Sequence, residues 1–244
     1  MFLFNFNKKR LKDLIPDNYI DIHSHLLFGI DDGAKTFEDT LRLTTTLISY
    51  GFAAFIATPH TMAHVWDNTT PIILDKNLET VALLLQNDIK VPFRAASEYL
   101  MDDAFVKRFQ SEPLLVLKDK YVLVEMSYIN APMQLYSILF DLQVAGYKPI
   151  LAHPERYIFY HQDFDEYKKL KRAGCLFQIN LLSTVGYYGR PVFETAKKLL
   201  NEGMIDFVGS DVHHNNHLQA FNGKVLLKDL APLKAAFENN SLFL

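Results

Sequence analysis

One punctuation recurs along this chain and limits what it can fold into: an amphipathic helix, a glycine, then a short apolar strand. Four copies read clearly, around Gly51, Gly146, Gly174 and Gly203, each glycine leading toward a run such as Phe52-Ala-Ala-Phe-Ile-Ala57 or Phe207-Val-Gly-Ser-Asp211. A glycine just past a helix end takes the left-handed conformation that closes the helix. The helices carry the matching period: Leu135, Ile138, Leu139 and Leu142 share a face, as do Phe164, Tyr167 and Leu170, and Phe193, Ala196 and Leu200. Thr36 is the expected N-cap of a helix running to about Ser49. Three further strands are expected over 19–23, 91–98 and 121–125, which brings the total to seven. Strands alternating with helices are βα units, and near-continuous apolar strands belong to a parallel sheet covered on both faces. Such units close as a barrel or lie open as a doubly wound sheet. No glycine-rich phosphate loop follows the first strand, which disfavours a nucleotide-binding open sheet.

Composition narrows the setting. With 244 residues, 49% hydrophobic and 22% charged, the chain can bury a full core. A net charge of −3 argues against a nucleic-acid footprint, which needs a basic excess. Cys175 is the single cysteine, so no internal disulfide forms and a reducing, cytoplasmic setting is expected. It opens an apolar strand with no Cys-x5-Arg phosphate loop, so it is read as a small hydrophobe and not a nucleophile. No apolar run approaches the roughly 18 residues a membrane helix needs. The expected organisation is an N-terminal extension over 1–17 and one domain over 18–244. The apolar residues at 2–6 are read as a tail or packing strap, with a homo-oligomer interface or membrane-surface anchor less favoured.

The functional signal lies where the strands end. The first ends in His23-Ser-His25 and runs on to Asp31-Asp32-Gly33; the second ends in Thr58-Pro-His60. The third and fourth end in Glu98 and Glu125, the fifth in His153-Pro-Glu-Arg156, the last in Asp211-Val-His213. The sixth ends in Asn180, suited to holding a ligand from behind. In parallel barrels these ends share one face, where catalytic groups collect. A strand's period of two points His23 and His25 the same way, and likewise Asp211 and His213. A lone histidine such as His161 or His217 is read as an ordinary surface or core residue. Imidazole and carboxylate without thiolate suit Mn, Fe or Zn. Nine donors exceed the needs of one ion, so two or three ions with Glu98 as a bridge are expected.

These motifs resemble the polymerase-and-histidinol-phosphatase (PHP) superfamily, whose fold is a distorted (β/α)7 TIM-like barrel with a trinuclear metal site. Asp21-Ile-His-Ser-His25, Gly29-Ile-Asp-Asp-Gly-Ala-Lys35, Ala57-Thr-Pro-His60 and Ala152-His-Pro-Glu-Arg156 are closer still to bacterial manganese-dependent protein tyrosine phosphatases of capsule and exopolysaccharide loci, the CpsB/YwqE type. The resemblance runs from about residue 18 to 240. It implies one ion on His23, His25, Glu98 and Asp211, a second on Asp32, His60 and His213, and a third on Glu125 and His153 with Glu98 shared. Asp31 is the alternative to Asp32. Arg156 matches the family's substrate-phosphate arginine. The family's second arginine, after Asp-x-His, has no counterpart in His214-Asn-Asn-His-Leu-Gln-Ala-Phe221, where His214, Asn215 or His217 are the candidate substitutes as phosphate donors.

Three divalent ions against four carboxylates leave a positive site that attracts a phosphomonoester. Metal binding lowers the pKa of water to about 7, so the expected reaction is in-line attack on phosphorus by a metal-bound hydroxide, with Arg156 neutralising the developing charge. A phenol, with pKa near 10, leaves with little help from an acid. His64 and His214 are the expected donors if one acts. The resemblance implies the phosphotyrosyl tail of a bacterial tyrosine kinase as substrate. A histidinol-phosphatase-like or nucleotide phosphoesterase and a non-catalytic phosphotyrosine-binding regulator are the alternatives.

Overall fold

The computed structural model describes residues 9–244, so the apolar stretch at 2–6 lies outside it. Nine strand segments follow in order: β1 (Tyr19–Asp21), β2 (Phe52–Ala57), β3 (His60–Thr61), β4 (Phe93–Ala95), β5 (Glu98–Leu100), β6 (Tyr121–Glu125), β7 (Lys148–Ala152), β8 (Leu176–Asn180) and β9 (Phe207–Gly209). The helices are α1 (Phe37–Ser49), α2 (Thr70–Gln86), α3 (Asp103–Ser111), α4 (Leu135–Val144), α5 (Phe164–Arg172), α6 (Arg190–Asn201), α7 (Asn215–Ala220) and α8 (Ala231–Asn239). Every strand pairing is parallel.

The segments form two sheets, β1-β2-β4 and β3-β5-β6-β7-β8-β9. The split has a chemical cause. Pro59, between β2 and β3, has no N–H to give the ladder. Ala96 N–H still donates to Ala57 O (2.8 Å) and Glu98 N–H to Pro59 O (3.1 Å), which carries the pairing across the gap. At the other seam Ser24 bridges Val212 in parallel. There Asp211 N–H donates to His23 O (2.8 Å) and His25 N–H to Val212 O (3.0 Å). Counted as continuous paths, the segments are the seven expected strands, joined in a ring by bridges and not by one closed ladder. Asp21 fastens the same seam: its carboxylate accepts from Ser210 N–H (2.9 Å) and Ser210 Oγ–H (2.5 Å).

The local signals account for the elements. Gly51, Gly146, Gly174 and Gly203 follow α1, α4, α5 and α6 with φ of +106°, +86°, +79° and +64°. Thr36 caps α1 in a capping box with Asp39: Thr36 Oγ accepts from Asp39 N–H (3.3 Å) and Asp39 Oδ2 from Thr36 N–H (3.2 Å). The expected apolar faces of α4, α5 and α6 are buried, Phe164 only partly. Leu11 and Ile15, ahead of the expected domain start, pack into the same core as Phe221. Cys175 is buried and its thiol is pushed up to about 12 by that burial, as a small hydrophobe requires. No described helix is long and apolar enough to cross a membrane.

Candidate metal centre

The carboxyl ends of the strands meet on one face of the ring, and the nine expected donors fall there in four overlapping groups: His25, Asp32, His60 and His213; His23, Glu98 and His153; His23, His25 and Asp211; and His60, Glu98 and Glu125. His23 Nε2 and His25 Nε2 lie 3.3 Å apart, past the end of β1 and on either side of the Ser24 bridge to Val212. Both face Asp211 Oδ1, at 3.3 and 3.4 Å. Asp32 Oδ1 lies 3.5 Å from His60 Nε2 and 3.4 Å from His213 Nε2. Asp211 reaches the cluster by a different route from the expected regular strand: its φ is +50°, and His153 has φ +36°. Two non-glycine residues in the left-handed region are strained, a cost that concentrates at functional sites.

Glu98 is the pivot. Its Oε2 lies 3.2 Å from His23 Nε2, 3.4 Å from His25 Nε2 and 3.2 Å from His60 Nδ1. It is nonetheless a buried oxygen with no hydrogen-bond partner, and His60 Nδ1 and Glu125 Oε1, 2.8 Å apart, share that condition. Buried polar atoms are almost always satisfied by hydrogen bonds. Lone pairs that converge at such spacing without hydrogen-bond geometry are aimed at a common point between them, which is how ligands of a divalent cation are arranged. The donor set therefore fits the group it was expected to hold. The structure groups the donors differently from the expectation in two respects: His25 also lies with Asp32, His60 and His213, and Glu125 pairs with the Nδ1 side of His60 while His153 Nε2 faces Glu98 Oε1 at 3.0 Å.

The donors are held from behind. His23 Nδ1 meets Gln178 Oε1 at 2.6 Å, and His25 Nδ1 meets Asp31 Oδ2 at 2.8 Å. Asp31 is in turn fixed by Gly33 N–H (2.9 Å) and His60 N–H (3.2 Å). It thus orients a ring, while Asp32 faces the cluster. Partners of this kind fix ring tautomer and raise ligand basicity. Asn180 Nδ2–H donates to Asp211 Oδ2 (2.6 Å), the supporting role expected of it. Gly33 lets this loop close: a Cβ there would sit 2.2 Å from His25 O.

Electrostatics follow from the packing. Burial alone would lower the His23 pKa, yet Glu98 and Asp211 raise it to about 9. His25 is also raised against burial, by Asp31 first. His153 is lowered to about 4, chiefly by burial, and presents a neutral ring. A cation competes with protons for the same nitrogens. The metal-free fold keeps the His23 contribution at low pH and loses it as pH rises through about 9. Metal loading near neutral pH should therefore release protons, and affinity should climb with pH up to about 9. Calorimetry of Mn²⁺ binding in buffers of different ionisation enthalpy reads this directly, and binding without proton release would contradict it.

A cleft of ≈ 570 Å³ opens onto the cluster. Arg156 lines it, its Nη1–H donating to Asp211 Oδ2 (2.8 Å). Among the expected donors of a proton, His214 lines the cleft but His64 does not. His64 sits exposed at φ +65° in a tight turn, its N–H donating to Asp67 (2.8 Å), and Trp66 from the same turn faces the site instead, stacked on His60 at 4.8 Å. His217, read from sequence either as an ordinary histidine or as a phosphate donor in place of the second arginine, lines the cleft, with Nδ1 accepting from His213 N–H (3.1 Å). Tyr128, Tyr188 and Gln178 lie outside the motifs that the sequence marks. Gln178 alone carries a signal, as a polar residue two before Asn180 in an apolar strand.

The sequence from residue 19 to 220 matches the family model described as capsular polysaccharide synthesis, CpsB/CapC. The chain belongs to the CpsB/CapC family. Among its relatives, the tyrosine-protein phosphatase YwqE of Bacillus subtilis (strain 168) is 29% identical over 196 residues, 80% of this chain and 77% of that protein. The tyrosine-protein phosphatase CpsB of Streptococcus pneumoniae is 26% identical over 203 residues, 80% of this chain and 83% of that one. Crystal structures of YwqE and CpsB, described as unique metal-dependent tyrosine phosphatases, include a chain that superposes with a TM-score of 0.81 at 27% identity, covering 92% of this chain and 93% of its own. That CpsB/CapC fold is the parallel α/β ring described above.

Proposed function

We propose that this chain, through residues 18–244, is a metal-dependent protein tyrosine phosphatase acting on the phosphotyrosyl tail of a bacterial tyrosine kinase that governs capsule or exopolysaccharide synthesis. The observation that carries the reading is the unpartnered Glu98 Oε2 facing three imidazole nitrogens at 3.2–3.4 Å. His23, His25, Glu98 and Asp211 would hold one ion and Asp32, His60 and His213 a second, while Glu98 would be shared further, with Glu125 beside His60 and with His153 beside its other oxygen. Mn²⁺ is the proposed ion, and Fe or Zn suits the same donors. When bound, the ions supply an activated water near neutral pH and offset phosphoryl charge. Arg156 binds the phosphoryl oxygens from the side of Asp211 and keeps its charge at any physiological pH. His214, at the cleft wall, is the one expected proton donor left in reach, and a phenol leaves without needing it. The single buried Cys175 accords with a cytoplasmic setting.

The cleft walls favour an aryl ester: Trp66, Val65, Met126, Tyr128 and Ile129 line it. A second groove of ≈ 390 Å³ shares Leu100 and Ser127 with the cleft and gives a peptide chain room to run. A compact substrate such as histidinol phosphate or a mononucleotide would leave that groove unused. The test is a comparison of phosphotyrosyl peptide with both of those under Mn²⁺. A clear preference for the peptide supports the reading, and hydrolysis of none, with any divalent cation, removes it. Trp66→Ala should raise KM for an aryl phosphate by about five- to tenfold while leaving a phosphoserine peptide unaffected. Equal losses on both substrates would assign Trp66 to support of His60.

A further inference from the structure

Arg156 leaves β7 on a short turn (Pro154–Arg156), and its guanidinium makes one hydrogen bond among the described residues, Nη1–H to Asp211 Oδ2 at 2.8 Å. A guanidinium has five N–H donors. One bond leaves its plane free to swing about that contact. Two tyrosine rings flank it: the guanidinium carbon lies 4.7 Å from the Tyr128 ring centroid and 4.4 Å from that of Tyr188. The rings come from different loops, Tyr128 after β6 and Tyr188 after β8, in a turn between Gly186 (φ +78°) and Gly189 (φ +93°). Asn180 ties the second ring to the cluster, since its Nδ2 donates to Asp211 Oδ2 (2.6 Å) and reaches Tyr188 Oη at 3.5 Å.

We propose that Tyr128 and Tyr188 are positioning residues that clamp the Arg156 guanidinium between their faces and so fix where its remaining N–H groups meet the substrate phosphoryl. The inference rests on the phosphatase reading above. Aromatic faces suit this task in a way carboxylates do not. They hold a cation through the ring quadrupole without consuming a donor or cancelling the charge that the phosphoryl group needs. Tyr188 is the cleaner of the two to test. Tyr128 also stacks on His153, at 5.7 Å and 24°, so changing it would disturb a proposed metal ligand.

The experiment compares Tyr188→Leu and Tyr188→Phe in the wild-type and Arg156→Ala backgrounds, reading kcat and KM for a phosphotyrosyl peptide and calorimetric binding of orthophosphate to the Mn²⁺-loaded protein. Tyr188→Leu should lower kcat/KM by about ten- to a hundredfold and weaken orthophosphate binding, with metal content unchanged. Tyr188→Phe, which keeps the ring, should recover most of the loss. In the Arg156→Ala background Tyr188→Leu should cost nothing further, because residues acting through one another do not add. An equal loss in both backgrounds, a phenylalanine variant as impaired as the leucine one, or a leucine variant as active as wild type would overturn the clamp. Tyr188→Gln serves the same comparison if the leucine variant does not fold. Should the wild-type chain hydrolyse no phosphotyrosine, the phosphatase reading falls, and orthophosphate affinity still decides the clamp.

Discussion

Glu98→Gln should strip the protein of most of its divalent metal and lower phosphotyrosyl-peptide hydrolysis on the order of 10³-fold. The change is nearly isosteric, so the fold has little reason to fail. Its effect is electrical and directional. Glu98 Oε2 faces three ring nitrogens and Oε1 a fourth, that of His153 at 3.0 Å. An amide there removes the charge and offers N–H groups where lone pairs are required. The neighbouring imidazoles also lose the anion that holds their protons, since burial opposes a charged His23 and Glu98 is the first group to offset it. Elemental analysis beside the peptide assay reads both consequences. A glutamine variant that keeps its metal and its rate would mean that Glu98 bridges nothing.

Arg156→Ala is expected to separate binding of metal from turnover. The side chain donates to Asp211 Oδ2, while the oxygen facing the cluster is Oδ1, so metal content should change little. The rate should fall by roughly 10²- to 10³-fold, the usual cost of removing one donor to developing charge. Arg156→Lys should recover only part of it, because an ammonium cannot present the planar fork that fits a phosphoryl group or lies between two rings. If the alanine variant loses metal in step with activity, the arginine is a support for Asp211 and not a substrate group.

The ring of strands and the cluster at its carboxyl ends were legible because each rests on a local, repeated signal. Gly51, Gly146, Gly174 and Gly203 mark helix ends one by one, and His23-Ser-His25 needs only one bridged residue between its rings, although β1 itself ends at Asp21. The split of the sheet at Pro59 was present in the sequence as a missing donor, but its effect depends on which strand lies alongside. The left-handed turn at Asp211 leaves no mark on residue type, and it replaced strand alternation as the means by which Asp211 and His213 share the site. The cleft walls were harder still. Trp66, Tyr128 and Tyr188 lie on loops, where no periodicity says which side chain faces inward. The turn carrying His64 shows the consequence: the expected histidine points to solvent and the tryptophan two residues on takes the wall.

Anomalous scattering from crystals grown with Mn²⁺ addresses the geometry on which everything else depends. The account predicts manganese peaks between the carboxylate of Glu98 and the rings of His23, His25, His60 and His153, with Asp32, Glu125, Asp211 and His213 completing the shells. Manganese bound only elsewhere, or a cluster in which these side chains close on one another through hydrogen bonds with no ion among them, would contradict it.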